Sequence, residues 1–155
     1  MKGRLFVAGQ AVLIVVVVLS PRWGDQWEAP LWARWVGWSL AAVGAVVTVA
    51  AFPQLGGALT PLPEPREGAK LTTAGVYGWV RHPIYSGVLA MGWGWTLASP
   101  TLATAAAAVA LTVLLATKAR YEERLLRQRF ASYSEYAART PRFVPRLLQR
   151  GTKSG

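Results

Sequence analysis

Four apolar blocks, separated by polar or irregular stretches, divide this chain. The first runs from Leu5 to Ser20 and contains the unbroken run Ile14 to Leu19. Lys2 and Arg4 precede it as in a signal peptide, but no small-residue cleavage site follows, so it is expected to stay as a first span. Pro21-Arg22-Trp23-Gly24 then reads as a turn with an interfacial tryptophan. The second block, 31–52, has the roughly 20 residues needed to cross a bilayer. Trp32, Trp35 and Trp38 crowd its beginning, where amphipathic rings prefer the headgroup level, and Arg34 can snorkel outward. Pro53 is expected to end this helix.

The stretch from Gln54 to Val80 breaks the pattern with Gly56-Gly57, Pro61, Pro63 and Pro65, and the charges Glu64, Arg66, Glu67 and Lys70. Irregular backbone of this kind belongs outside the hydrocarbon or against a protein-lined cavity. A third span is expected over 83–98 and, after a tight turn at Ser99-Pro100, an alanine-rich fourth over 101–117. Ser86, Ala90 and Gly94 repeat at i, i+4, i+8, a small-residue stripe that permits close helix approach, so the third and fourth spans read as a packed hairpin. The whole, 1–155, reads as one all-α unit: an integral membrane bundle of about four transmembrane helices.

Composition supports lipid as the solvent. Hydrophobic residues make up 53% of the chain and charged residues 15%, well below the quarter typical of soluble domains. The net charge of +10 is unevenly placed: ten of the seventeen basic residues lie from Lys118 onward, in a tail spanning 118–155 directly after the fourth block. That placement suits anionic lipid headgroups, and no fold or aromatic-basic signature points to nucleic acid. With four spans, the amino terminus, the 53–82 loop and the tail share one face. That face carries every basic residue except Arg22 and Arg34, so both termini are expected to be cytoplasmic. The chain has no cysteine and one histidine, His82, which excludes disulfides, thiolate metal sites and multi-histidine centres; no metal site is expected.

Two segments carry candidate chemistry. In Arg81-His82-Pro83-Ile84-Tyr85, the proline biases His82 away from helical geometry and opens the third helix. Arg81 and His82 then lie beside that helix's unsatisfied N–H groups, where cation, dipole and amides together suit an anion such as a cofactor carboxylate. Tyr85 adds a ring and a hydroxyl one turn in. As a bland alternative, Arg81 is an interfacial anchor and His82 a cap. In the tail, Ala119, Leu126, Phe130, Tyr133 and Ala137 draw an apolar stripe near heptad spacing, and the two places it skips hold Glu122 and Glu123. A carboxylate on a face seeking cover needs a partner. That partner is either an i,i+4 cation (Lys118–Glu122, Glu123–Arg127) or the hydroxyls or amino group of a polar cofactor. Arg142, between Pro141 and Pro145, offers a planar fork to a carboxylate or to lipid phosphate.

The run from Leu71 to Tyr77, then Arg81-His82-Pro83-Ile84-Tyr85-Ser86-Gly87, Glu122-Glu123-Arg124-Leu125-Leu126, Tyr133, Tyr136 and Arg142-Phe143-Val144-Pro145 resembles the isoprenylcysteine carboxyl methyltransferase family of membrane enzymes. The resemblance covers about residues 55 to 148. It implies a pocket for S-adenosylmethionine, roofed by the loop and by a carboxy-terminal helix. Lys70, Leu71, Tyr77, Arg81, His82, Pro83, Tyr85 and a glutamate at 122 or 123 would line it. It also implies that Arg142 orients the acceptor, a lipophilic small molecule or lipidated substrate. The acceptor group is expected to be a carboxylate, already ionised, for which alignment does most of the work. A phospholipid or other lipid amine is the alternative, and would need a base, for which Glu122 or Glu123 is the candidate. A nicotinamide-dependent membrane reductase and a non-enzymatic membrane protein are the readings from other classes. The chain departs from the family at Phe130-Ala131, where Phe-Gly is usual. The extra spans of larger members are not expected in these residues, so the acceptor pocket is expected to be either smaller or completed by a second protomer.

Overall fold

The computed structural model describes residues 2–55 and 71–146, and every regular element among them is helical. Helix α1 (Lys2–Leu19) continues into a 3-10 turn, Ser20–Arg22. It is followed by α2 (Leu31–Leu55), a 3-10 turn at Gly75–Gly78, α3 (Pro83–Ala98), α4 (Leu102–Arg129) and the short α5 (Tyr133–Arg139). Three stretches among the described residues are long and apolar enough to cross a membrane: Gly3–Arg22, Leu31–Leu55 and Leu102–Arg129. At 16 residues α3 is about 24 Å long, short of a bilayer's hydrocarbon core of about 30 Å. The four expected spans are thus three helices of full length and one shorter apolar helix.

Two boundaries differ from expectation. Helix α2 runs through Pro53 to Leu55. Proline removes one backbone donor, a small loss in a last turn, and the Gln54 side-chain Nε2 donates to the Ala50 carbonyl there (3.0 Å). The fourth span and the glutamate-bearing tail segment are one continuous helix, since nothing between Thr117 and Arg129 breaks it. Thr101 caps its start, its hydroxyl accepting from the Thr104 amide (2.9 Å) while the Thr104 hydroxyl accepts from the Thr101 amide (3.0 Å). At 28 residues α4 spans about 42 Å, so its last turns project beyond the length that the hydrocarbon requires.

The helices pack antiparallel. A Cβ on Gly37 would lie 2.5 Å from the Gly94 carbonyl oxygen, and one on Gly44 would lie 2.5 Å from that of Gly87. Only glycine lets the two backbones approach this closely. The Ser86, Ala90, Gly94 stripe therefore serves mainly α2 rather than α4: Ala90 and Gly94 face Gly44 and Gly37, while Ser86 turns to the tail. Helix α3 meets α4 through the Trp93 indole, which donates to the Thr112 hydroxyl (3.1 Å), and through Gly92 against Leu111. Helix α1 lies on α4 with Gly9 against Leu114 and Phe6 against Tyr121. The start of α1, the end of α2, the start of α3 and the end of α4 thus gather at one end. Leu5, Val12 and Val15 of α1, Val43, Val46 and Val49 of α2, and Val113 of α4 all point outward, the apolar exterior a lipid solvent rewards.

Candidate functional site

The polar interior sits at that common end. Residues 71–80 return from the end of α2, where the Gln54 side chain accepts from the Val76 amide (3.0 Å) and presses on Gly75, whose φ of +58° suits glycine. Pro83 then opens α3 with His82 as its N-cap, in a non-helical conformation. The tail runs alongside: the amides of Arg81 and His82 donate to the carbonyls of Pro141 (2.9 Å) and Arg142 (3.1 Å), and the Ser86 hydroxyl donates to that of Phe143 (2.7 Å). Backbone pairing between the α3 entrance and residues 141–143 is what brings three distant segments together.

Glu123 lies at their junction and is fully buried. Arg142 grips it as a fork, Nε to Oε1 and Nη2 to Oε2, both at 2.8 Å. Arg81 donates to Oε1 through Nε (3.2 Å) and Nη2 (3.0 Å) while its Nη1 donates to the carbonyls of Ala137 (2.7 Å) and Thr140. His82 Nε2 lies 3.3 Å from Oε1, and Arg127, one turn along, reaches Oε2 at 3.7 Å. Hydrogen bonding to Glu123 holds the Arg142 guanidinium above its ordinary pKa. The i,i+4 partner foreseen for Glu123 is therefore present, but as the weakest of several contacts.

Glu122 points another way, as neighbours separated by about 100° around a helix must. Its Oε1 accepts from the Tyr85 hydroxyl (2.5 Å), and its Oε2 lies 3.5 Å from His82 Nδ1. The His82 ring stacks on Tyr85 (5.4 Å between centroids, 4° between planes). Because its two nitrogens face two carboxylates, either tautomer of His82 presents an N–H to one of them. Beyond Tyr85, the Lys118 ammonium lies 5.1 Å over the ring and donates to Gln10 of α1 (2.9 Å).

Of the residues singled out from sequence, Arg81, His82, Tyr85, Glu122, Glu123 and Arg142 are in direct contact with one another, and Pro83 is buried at the helix start. Tyr77 is buried nearby, its carbonyl accepting from the Tyr136 hydroxyl (2.6 Å). Burial raises both phenols, that of Tyr136 to about 12. Leu71 is half-buried at the edge of the described segment; Lys70 lies outside the described residues. Sequence reasoning did not select Gln10, Ser86, Arg127 or Thr140 as site residues. From the sequence, Lys118 is only an i,i+4 partner of Glu122. A glutamine within an otherwise apolar first block was the available signal for Gln10.

The donor set fits S-adenosylmethionine. Its sulfonium and amino group call for carboxylates and aromatic faces, of the kind Glu122, Tyr85 and Tyr77 offer; its carboxylate calls for cations, of the kind Arg81 and His82 offer. The Tyr133 hydroxyl is buried next to this cluster without a hydrogen-bond partner among the described residues, an open polar atom such a ligand could satisfy. No group of three or more His, Cys, Asp or Glu residues that could hold a metal occurs among the described residues.

Fold and site together define an all-helical protein with membrane-crossing helices and an arginine–glutamate–histidine cluster at one end of its apolar bundle. Residues 32–133 match the phospholipid methyltransferase family, and the chain belongs to it. Over 137 residues it is 34% identical to protein-S-isoprenylcysteine O-methyltransferase B of Arabidopsis thaliana, spanning 85% of this chain and 67% of that one. It is also 34% identical to the cobalt-zinc-cadmium resistance protein CzcN of Cupriavidus metallidurans over 147 residues, and to the nickel-cobalt-cadmium resistance protein NccN of Alcaligenes xylosoxydans xylosoxydans over 144. These alignments cover 90% and 91% of this chain but 62% of each resistance protein. The resemblance to the isoprenylcysteine methyltransferases noted from the motifs is thus borne out.

Proposed function

We propose that this chain transfers the methyl group of S-adenosylmethionine to a lipophilic acceptor at the cytoplasmic face of a membrane. The observation that carries the reading is the contact of the Arg-His-Pro-x-Tyr run with the Glu-Glu pair, about forty positions away, at the polar end of an apolar bundle: Tyr85 to Glu122 at 2.5 Å and His82 to Glu123 at 3.3 Å. Family membership adds its weight to the same chemistry. The cofactor supplies a methyl group already activated by its sulfonium. The protein's part is binding and alignment, with Glu122, Tyr85, His82 and Tyr77 holding the cofactor. Leu71, Pro83 and Arg81 border the same pocket, with Glu123 buttressing it, and Lys70 is assigned to it on the family resemblance alone. Arg142 faces the acceptor.

The acceptor is a carboxylate in this reading, as the name of the Arabidopsis relative suggests. A lipid amine is the second reading, favoured by the family's description as phospholipid methyltransferases. In that case Glu122, hydrogen-bonded to a phenol and facing an imidazole, is the group positioned to take the ammonium proton. Methyl transfer from labelled S-adenosylmethionine to a panel of prenylated cysteines and aminophospholipids tests both. Product on neither, together with no binding of S-adenosylhomocysteine, would overturn the proposal.

A further inference from the structure

One exposed stripe follows α4 on the side turned away from its neighbours. Helix α1 meets α4 at Leu114, Lys118 and Tyr121, and α3 meets it at Leu111 and Thr112. Val109, Val113, Thr117, Arg120, Arg124 and Arg127 recur every third or fourth position on the opposite side, and all six are exposed. We propose that Arg120 and Arg124 form a binding face for the anionic phospholipid headgroups of the leaflet at the candidate site's end. The inference stands apart from the methyl-transfer reading, which gives these two residues no role.

The order of residues along the stripe is the first argument. It is apolar as far as Val113, turns polar at Thr117 and is arginine from there on. A lipid-facing side that changes from apolar to cationic within two turns marks the level where hydrocarbon gives way to headgroups. At about 1.5 Å per residue, Arg120 and Arg124 lie about 4.5 and 10 Å beyond Thr117. The polar layer outside a bilayer's core is about 5–8 Å deep on each side, within reach of both guanidiniums. Charge is the second argument. The carboxylates nearest in sequence turn elsewhere: Glu122 to Tyr85 and His82, Glu123 to Arg81 and Arg142, Glu135 to Arg139. Neither Arg120 nor Arg124 makes an ion pair or hydrogen bond among the described residues, so each guanidinium is left to the medium that it faces. At the opposite end of the bundle, Arg22 and Arg34 are matched in number by Asp25 and Glu28; the stripe beyond Thr117 carries no exposed carboxylate. Anionic headgroups supply the missing counter-charge, and a guanidinium fork fits their phosphates. The third argument is continuity with the candidate site. Arg127, the last of the stripe, reaches Glu123 Oε2 at 3.7 Å and lies over the Tyr133 ring (5.8 Å). Headgroups seated on Arg120 and Arg124 therefore border the arginine–glutamate cluster and hold it at headgroup depth.

The test is lipid retention, read by native mass spectrometry on protein released from nanodiscs of equal parts phosphatidylglycerol and phosphatidylcholine. An arginine at headgroup level strengthens binding to anionic lipid by about fivefold, so the parent should retain phosphatidylglycerol over phosphatidylcholine by about tenfold or more. The double variant Arg120→Gln/Arg124→Gln should bring that ratio to within about twofold of unity. Both side chains are exposed and make no contact that folding depends on, so this variant should fold as the parent does. Arg139→Gln/Arg146→Gln removes the same charge from the exposed tail and should leave the ratio within about twofold of the parent's. Soluble glycerol phosphate in excess should displace little of the bound lipid, because it lacks the chains that lie along Val109 and Val113. The face is overturned if the parent shows no preference or if the preference survives in Arg120→Gln/Arg124→Gln. An equal fall in the tail variant would also overturn it, since net charge alone would then explain the ratio. Ready displacement by glycerol phosphate would overturn the assignment to lipid and leave a site for free anions.

Discussion

Removing the Glu123 carboxylate is the sharpest perturbation the structure suggests. In Glu123→Ala the two guanidiniums of Arg81 and Arg142, now about 3 Å from an oxygen of that carboxylate, lose their shared counter-charge and face each other across a void. Breaking a buried ion pair from one side typically costs about 3–5 kcal/mol. Arg142→Ala is milder: Arg142 is partly exposed, and Glu123 keeps Arg81 and His82, so about 1–2 kcal/mol is expected, near the low end for charged hydrogen bonds. The double variant should cost less than the sum, because Arg142 has nothing to lose once Glu123 is gone. For a chain of this size 1 kcal/mol moves the melting midpoint by about 2–4 °C, so Glu123→Ala should melt about 6–20 °C below the parent. Thermal unfolding in one detergent, followed by tryptophan fluorescence across the four proteins of the cycle, measures this. A Glu123→Ala midpoint within about 2 °C of the parent, or strict additivity, would refute the claim that this carboxylate joins α3, α4 and the tail.

Further expectations follow from other contacts. Gly44→Ala sets a Cβ 2.5 Å from the Gly87 carbonyl oxygen and should destabilise by about 1–3 kcal/mol or more, while the outward Val43→Leu stays within about 0.5 kcal/mol; equal melting of the two would disprove the close α2–α3 approach. Tyr136→Phe strips the buried Tyr77 carbonyl of its donor and should cost about 1–2 kcal/mol in the same assay, with unchanged stability counting against that bond. Reporter fusions after Gly24 and after Arg146 should report opposite faces, the latter cytoplasmic. Matching signals would reject the proposed topology.

Much of the fold was legible because lipid imposes a simple pattern. The apolar blocks, the break at Ser99-Pro100 and the proline at the start of α3 are local signals, and each appears where the sequence places it. Reading failed where the deciding contact is non-local. Pro53 resembles a helix stop, but nothing in the sequence says that Gln54 will tie the last turn to Val76. The small-residue stripe announces close packing without naming the partner, which is α2 because glycines at 37 and 44 match those at 94 and 87. In the candidate site, the pattern flagged two glutamates needing partners but could not divide them. The division depends on residues 141–143 returning to pair with the start of α3, a contact separated by some sixty positions.

That division gives each acidic residue a distinct place in the proposed reaction. Glu123 meets cations of its own chain on both oxygens, so it is a positioning residue, and a ligand would have to displace Arg81 or Arg142 to reach it. Glu122 accepts from a phenol and faces an imidazole nitrogen, and no guanidinium grips it, so a sulfonium or ammonium group can join these partners. Of the two, Glu122 is therefore the one suited to hold the cofactor. The fork on Glu123 does not bar Arg142 from the acceptor. A guanidinium has five N–H donors, and Glu123 takes one from Nε and one from Nη2, which leaves Nη1 for another anion. Held at two points, that Nη1 is fixed in direction before the acceptor arrives, the preorganisation a reaction governed by alignment needs. Arg142→Lys, which keeps the charge but cannot make the fork, should therefore lower turnover far more than it lowers S-adenosylhomocysteine affinity. Equal loss of both would place Arg142 on the cofactor side instead.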